Sequence, residues 1–243
     1  MQTTKKQAST RLLGLILCFI IAALAWYLGT LMPIIGGAVF AIMLGIIVRV
    51  VLLKTKPQSF DQALPGVSYA AKKVLQYAII LLGFEMNFFT VLKVGKQSLF
   101  VMLFTLSAAF LTTFLMNKAL HIPSKLATLV GVGTSICGGS AIAATAPVIE
   151  ANDEDISTSI SIIFLFNIVA VFVFPFVGRL LHMSDIGFGM WAGTAINDTS
   201  SVVAAASAWS EAAHNAVALN FATIVKLTRT LMIVPITLVL AFV

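Results

Sequence analysis

The sequence predicts an all-α polytopic membrane protein, built as a single transmembrane domain over residues 1–243. Sixty per cent of the residues are hydrophobic and only 10% are charged, whereas soluble domains carry about 25% charged residues. The apolar runs are each close to the ~20 residues that an α-helix needs to cross the hydrocarbon core. We predict about eight transmembrane segments, at residues 12–29, 33–53, 74–92, 98–117, 126–149, 156–178, 186–208 and 215–243.

The first apolar run has features of a secretory signal, because basic residues precede it and "ALA" at residues 23–25 resembles a cleavage site. However, the run from Leu12 to Leu28 is longer than the roughly 7–15 residues of a signal core. Further apolar segments also follow it. We therefore expect residues 12–29 to form the first transmembrane helix.

The basic residues that give the chain its net charge of +6 lie mostly in short loops between apolar runs. There they act as topology signals rather than as a nucleic-acid-binding surface. Only Lys93 and Lys96 fall on the side opposite to the majority, so the N-terminus is expected in the cytoplasm. The majority are Lys5, Lys6, Arg11, Arg49, Lys54, Lys56, Lys72, Lys73, Lys118, Lys125 and Arg179.

One predicted segment contains residues that weaken a lipid-facing helix, "GVGTSICGGSA" at residues 131–141. Gly138 and Gly139 permit non-helical backbone, and Ser140 is a preferred cap for a helix that restarts there. Non-helical backbone at membrane depth must be buried in protein or line a polar cavity. A discontinuous helix is favoured over the alternative that small residues only let helices pack closely. The candidate ion-binding residues here are Thr134, Ser135, Cys137, Gly138, Gly139 and Ser140.

A second stretch, "GTAINDTSSVVAA" starting at Gly193, matches "GTSICGGSAIAA" starting at Gly133 with a displacement of 60 residues. Paired polar interruptions in corresponding apolar segments are the best sequence indication of a transporter's central site. Both copies run in the same direction through the predicted membrane, so shared chemistry at a helix break is an alternative to duplication. The candidate residues of this copy are Asn197, Asp198, Thr199 and Ser200.

Two charged residues, Lys226 and Arg229, interrupt the last apolar stretch. They belong to a polar stripe with helical spacing, which favours an internal cavity. The alternative is an interfacial helix whose charges snorkel to the headgroups. Glu85 and Asp198 are the acids available to pair with these bases, and full pairing would make the set purely structural. The stripe comprises Asn220, Thr223, Lys226 and Thr230, with Arg229 beside it.

Three stretches in order, "GVGTSICGGSAIAATAPVIEA", "GTAINDTSSVVAA" and "KLTRTLMIVPITL", resemble the bacterial sulfate exporter family of integral membrane proteins. That family is grouped with cation:proton antiporters and bile-acid symporters. The resemblance implies a multi-pass protein of the bacterial inner membrane, with two inverted helical repeats and crossed discontinuous helices. Family members continue beyond the length of this chain, so the implied fold is an incomplete inverted-repeat transporter. The resemblance also makes residues 133–140 a discontinuous helix, residues 193–201 a second core element, and Lys226 with Arg229 the basic pair.

Two positions depart from the family pattern. The family often has a histidine at the position of Asn197, and losing an imidazole leaves Asp198 as the expected proton carrier. Glu85 stands where the family commonly has an arginine, which removes a positive charge and weakens the argument for an anion.

We expect a secondary transporter that exports a small inorganic or organic anion, such as sulfate or a related sulfur oxyanion. The alternatives are a sodium:proton antiporter that uses Asp198, and a transport-inactive fragment or subunit. The sequence has no metal-ligand cluster, nucleophile motif or phosphate loop, so we expect neither an enzyme nor a cofactor. The expected partners are the anion, a proton or sodium ion for coupling, and the lipid bilayer; a homo-oligomer is left open.

Overall fold

The structure, a computed structural model, describes residues 2–32, 36–84 and 87–241. The regular elements in these ranges are helical, which confirms the predicted all-α class for this part of the chain. The chain divides into two compact units, Met1–Asn87 with Glu211–His214, and Phe88–Ser210 with Asn215–Val243. Glu85, one of the two acids expected to pair with the basic residues, lies outside the described residues.

In the first unit, α1 packs against α2 and α3. This packing depends on glycine, because a Cβ added to Gly14 would lie 2.7 Å from the Cα of Gly66. The backbones of α1 and α3 therefore lie in direct contact at these two glycines. The elements are α1 (Gln2–Leu31), α2 (Gly37–Thr55), α3 (Pro57–Tyr69), a π-helical turn (Ala70–Val74) and α4 (Leu75–Phe84).

The helices from Phe88 onward, which belong to the second unit except at Glu211–His214, begin and end at local signals in the sequence. The Asn152 side chain caps α8 by accepting a hydrogen bond from the Asp155 N–H at 2.7 Å, and Ser184 caps α9 in the same way. The elements are α5 (Phe88–Leu120), α6 (Ser124–Ser135), α7 (Gly139–Thr145), α8 (Asp153–Leu180), α9 (Asp185–Ala195), α10 (Thr199–Ala213), α11 (Val217–Thr230) and α12 (Ile233–Ala241). Left-handed histidines with φ near +50° follow α5, α8 and α10: His121, His182 and His214.

The core of the second unit lies around α9. Phe188 of α9 stacks on Trp209 with ring centroids 4.2 Å apart and planes 8° from parallel. The Trp209 indole N–H donates to an Asp185 carboxylate oxygen at 2.7 Å. Alanines of α9, α10 and α11 fill the space beneath these rings. The small side chains let the helices approach closely, which brings α11 against the end of α9.

Within the described residues, five helical stretches are long and apolar enough to cross a membrane, so the chain is a multi-pass membrane protein. The other three predicted segments each contain parts of two helices instead of one continuous helix. Residues 126–149 contain α6 and α7, residues 186–208 contain α9 and part of α10, and residues 74–92 are shared between α4 and α5. The number of crossings and the side of the N-terminus remain predictions. The five stretches are Arg11–Leu31, Gly37–Thr55, Phe88–Leu120, Asp153–Leu180 and Val217–Ala241.

Candidate functional site

The first helix interruption separates α6 from α7 at residues 136–138. The Gly138 N–H donates to the Gly133 carbonyl at 2.9 Å, which closes the end of α6 with a helix-terminating turn. Gly138 has φ +70°, a conformation that favours glycine. The expected cap at Ser140 is wrong. Gly138 holds the N-cap position of α7 without a side-chain cap bond, because Ser140 already lies inside the first turn.

The second interruption separates α9 from α10 at residues 196–198. Asn167 of α8 satisfies its backbone, since Oδ1 accepts hydrogen bonds from the N–H groups of Asn197 and Asp198 at 3.0 and 3.1 Å. The Asp198 carboxylate then caps α10. It accepts from the Ser200 N–H at 2.9 Å, from the Ser200 hydroxyl and from the Ser201 N–H at 3.3 Å. A carboxylate at this position is favourable for the helix dipole.

The two interruptions are neighbours in space. A Cβ added to Gly138 would lie 3.8 Å from the carbonyl carbon of Asn197 and 3.9 Å from Nδ2 of Asn167. The same position is 3.2 Å from Cγ2 of Ile163. The structure therefore brings together the two stretches that the sequence pairs at a displacement of 60 residues.

Lys226 of α11 bridges the two interruptions, and its side chain is 0% exposed. Its ammonium donates to the Ile136 carbonyl at 2.8 Å, to the Ile196 carbonyl at 3.3 Å and to the Asn197 carbonyl. An ammonium has three protons, so three main-chain oxygens satisfy this buried charge.

Arg229, one turn further along α11, makes the same kind of bridge and is 3% exposed. Its Nε donates to the Ser135 carbonyl at 2.6 Å. Its two terminal nitrogens donate to the carbonyls of Thr134 and Thr194. The snorkelling alternative is wrong for this pair, because both side chains are buried among helix ends.

The carbonyls that these bases bind lie at equivalent positions of the internal repeat. Ile136 matches Ile196, and Thr134 matches Thr194. The C-terminal ends of α6 and α9 carry unpaired carbonyls and a partial negative charge of about half an elementary charge each. Five of the six hydrogen bonds that the Lys226 and Arg229 side chains donate end on such carbonyls, and the sixth ends on the carbonyl of Asn197, one residue further along the chain. The basic pair therefore caps both helix ends at once.

Two glycines of α9 explain how α11 reaches this position. A Cβ on Gly189 would lie 3.0 Å from the Ala218 carbonyl oxygen, and one on Gly193 would lie 2.7 Å from the Ala222 carbonyl oxygen. Glycines four residues apart let two helices pack backbone to backbone. Neither glycine was predicted from the sequence to be a packing residue. Their spacing, G-x-x-x-G within an apolar segment, is the signal that predicts the contact.

The other predicted site residues surround the interruptions without binding the basic side chains. Cys137 is buried in the apolar cluster that includes Met102 and Val132. Gly139 and Thr199 are the first residues of α7 and α10 and are half-buried. Ser200 is exposed. Ion binding by these residues stays a prediction.

Asn167 is the principal site residue that sequence reasoning missed. It is 3% exposed, on α8, 30 residues before the backbone that it satisfies. A lone amide in the apolar run "IIFLFNIVAVF" is a signal in itself, because polar side chains in membrane helices are costly and usually bonded to a neighbouring element.

A cavity of about 410 Å³ lies beside the interruptions, bounded by α6, α8 and the end of α9. Thr134, Asn167 and Asn197 line it among otherwise apolar side chains. Asn167 Nδ2 and Asn197 Oδ1 are buried and have no hydrogen-bond partner within the described part of the chain. Over the same residues, no group of three or more His, Cys, Asp or Glu side chains could hold a metal.

Comparisons with known proteins place the chain among bacterial membrane proteins. It is 52% identical over 235 residues to the UPF0324 membrane protein FN0533 of Fusobacterium nucleatum subsp. nucleatum. It is 50% identical over 229 residues to the UPF0324 membrane protein of Streptococcus pneumoniae serotype 4, and 51% identical over 232 residues to that of Streptococcus mutans serotype c. These alignments cover 96%, 94% and 96% of this chain.

The chain spans 66% of the length of each of these relatives. No solved structure matches it. The family model described as Conserved hypothetical protein 698 matches residues 13–243. The chain therefore belongs to this family of membrane proteins.

Proposed function

We propose that the chain forms the core of a secondary active transporter that exports a small oxyanion, with sulfate and related sulfur oxyanions as the candidates. The observation that supports the proposal is the buried basic pair, Lys226 and Arg229, at the meeting point of two helix interruptions. Charged residues inside a membrane-spanning helix often mark a substrate path. Broken helices with their ends at one point are the usual substrate site of such transporters.

The charges at the junction favour an anion. Lys226 and Arg229 contribute two positive charges, and the helix ends that they cap return about −0.5 each. An excess of about one positive charge remains before Asp198 is counted. Asp198 contributes −1 and lies at the N-terminus of α10, whose own partial charge of about +0.5 opposes it, so an excess of about +0.5 remains. A positive field in a low-dielectric surrounding raises the local concentration of an anion.

The same contacts weigh against a sodium site at the helix ends. In transporters with broken helices, carbonyls of unwound backbone and of half-helix C-termini coordinate the sodium ion. Here the carbonyls of Ile136, Ile196 and Asn197 are taken by the ammonium of Lys226. The protein's own cation thus stands where sodium would bind. A role for Asp198 as a cation or proton carrier stays a prediction.

The test is flux in liposomes with a pH gradient, comparing labelled sulfur oxyanions with labelled sodium. Arg229→Gln removes the charge, Arg229→Lys keeps it, and Lys96→Gln removes a charge from an exposed position. We expect oxyanion flux that falls at least about tenfold in Arg229→Gln, because the variant removes one of the two positive charges that attract the anion to the junction. Arg229→Lys should retain more flux, and Lys96→Gln should match the parent.

Sodium-dependent proton flux that only Asp198→Asn abolishes would instead establish the antiporter. Each assay is repeated with a version extended to the full length of the relatives, because the chain spans 66% of them. If neither the chain nor the extended version transports oxyanions or sodium, the transport-inactive alternative is supported.

A further inference from the structure

The cavity beside the interruptions contains one hydrogen-bond donor, on Asn167, whose identity follows from the other hydrogen bonds of that side chain. Oδ1 of Asn167 must be the oxygen, because it accepts from the main-chain N–H groups of Asn197 and Asp198. The remaining end of this amide is therefore Nδ2, a donor, and it is buried without a partner in the described residues. A buried polar atom of this kind costs free energy unless a ligand or water satisfies it.

Asn197 supplies the complementary group. It lines the same cavity and is 7% exposed. Its Oδ1 is also buried and without a partner among the described residues. One wall of the cavity thus presents a donor on α8 and, in the amide orientation that the structure shows for Asn197, an acceptor at the end of α9. A ligand that satisfies both must accept one hydrogen bond and donate another.

The rest of the lining restricts the charge of the ligand. Most of the cavity wall is aliphatic or aromatic, including Val130, Ile163 and Phe174. The cost of moving an ion from water into such surroundings rises with the square of its charge, so a dianion pays about four times the cost of a monoanion. The three protons of Lys226 are already bound to carbonyls, which leaves few donors for a doubly charged ion.

We propose that this cavity binds an oxyanion in its singly protonated, monoanionic form, with Asn167 donating to an oxygen and Asn197 accepting from the hydroxyl. This rests on the proposed function, whose substrate class it narrows. Among sulfur oxyanions, sulfite is partly protonated to hydrogen sulfite near neutral pH, whereas sulfate stays a dianion. The cavity volume of about 410 Å³ accommodates either ion, so protonation and charge rather than size decide between them.

A consequence concerns the proton. A substrate bound as a monoanion carries its own proton across the membrane. Asp198 is then not required as the proton carrier, and its carboxylate remains a cap that accepts from Ser200 and Ser201 at the start of α10.

The test is a binding titration of the purified protein in lipid nanodiscs, with sulfite and sulfate as probes, below and above the second pKa of sulfite. Asn167→Asp is the decisive variant, because it keeps an oxygen for the N–H groups of Asn197 and Asp198 but replaces the donor with an acceptor. Thr145→Val is the matched control. It removes another buried oxygen without a described partner, one that does not line this cavity.

We expect sulfite to bind more tightly than sulfate, and its binding to weaken as the pH rises through its second pKa. Asn167→Asp should weaken sulfite binding by roughly 10- to 100-fold or more, because it removes a hydrogen bond to a charged group and places a second negative charge beside the anion. Thr145→Val should bind like the parent. Asn197→Ala should flatten the pH dependence, because the group that accepts the hydroxyl is gone.

Sulfate binding as tightly as sulfite, or sulfite binding that Asn167→Asp leaves unchanged, would overturn the inference. So would the absence of binding by either probe, which would mean that water alone satisfies the two amides. Flux in liposomes is scored separately. If hydrogen sulfite binds but is not transported, the proposed transport function is refuted and the binding site stands. If sulfate is transported and Asn167→Asp does not affect its flux, the transport function stands and the binding site is refuted.

Discussion

Thr134 and Thr194 present their main-chain carbonyl oxygens to the same guanidinium group, that of Arg229. The two threonines occupy equivalent positions of a repeat with a displacement of 60 residues. Lys226 joins the equivalent pair Ile136 and Ile196 in the same manner. The sequence repeat therefore corresponds to a repeated local structure. Each copy ends a helix so that its last carbonyls point towards α11, where one pair of cations binds both.

Replacing Arg229 by lysine should destabilise the protein although the charge is kept. The guanidinium donates in three directions, to carbonyls at the ends of both α6 and α9, and a lysine ammonium cannot reproduce that planar geometry. We expect a loss of about 1–3 kcal/mol, one or more buried carbonyls being left without a donor. Thermal unfolding in detergent measures the loss. The exposed Arg49→Lys is the control, and equal melting temperatures for the two variants would contradict the bridging role.

Replacing Lys226 by methionine should cost more. The variant keeps the length of the side chain but leaves the carbonyls of Ile136, Ile196 and Asn197 without their donor. Leaving a buried acceptor without its donor costs about 1–3 kcal/mol, and this variant affects three of them. We expect a large drop in the melting temperature, with exposed Lys96→Met close to the parent. A Lys226→Met protein as stable as the parent would show that water satisfies these helix ends equally well.

The contact between α9 and α11 should be sensitive to a single methyl group. The Cβ of Gly193→Ala would lie 2.7 Å from the Ala222 carbonyl oxygen and 2.8 Å from Cβ of Val225. Backbone cannot yield as a flexible side chain does, so the helices must separate, at a cost of about 1–3 kcal/mol.

Unfolding of Gly193→Ala beside Gly45→Ala measures this cost. A Cβ on Gly45 would have no atom within 4 Å, and an alanine there should stabilise α2 by up to about 1 kcal/mol. Separation of α9 from α11 should also weaken the bridge made by Lys226, so oxyanion flux should fall with stability. If Gly193→Ala behaves like Gly45→Ala, backbone packing does not position α11.

The sequence was sufficient for the features that depend on composition and local backbone. Apolar runs indicate membrane helices, and the glycine pair at Gly138 marks the place where α6 stops and α7 starts. Helical spacing indicates that Lys226 belongs to an internal face, and its side chain is fully buried. These inferences need only near neighbours in the chain.

The partners of the basic pair could not be predicted in the same way. Sequence reasoning looks for side chains, so it offered acids such as Asp198 and a bound anion as partners of Lys226 and Arg229. The observed partners are main-chain carbonyls, which every residue has and which become distinctive only where a helix ends. The contact from Asn167 to Asn197 was missed for a related reason, since it joins separate elements 30 residues apart.

The last prediction separates the two roles open to Asp198. If its carboxylate only caps α10, Asp198→Asn should preserve stability, because asparagine is as good an N-cap as aspartate, while Asp198→Ala should lose about 0.5–2 kcal/mol. Transport by Asp198→Asn should then keep its dependence on pH, since the proton travels with the substrate. If Asp198 carries the proton, Asp198→Asn should instead be stable but lose the coupling of oxyanion flux to the pH gradient. Melting temperatures and flux with and without the gradient, measured on the same preparations, decide between the cap and the carrier.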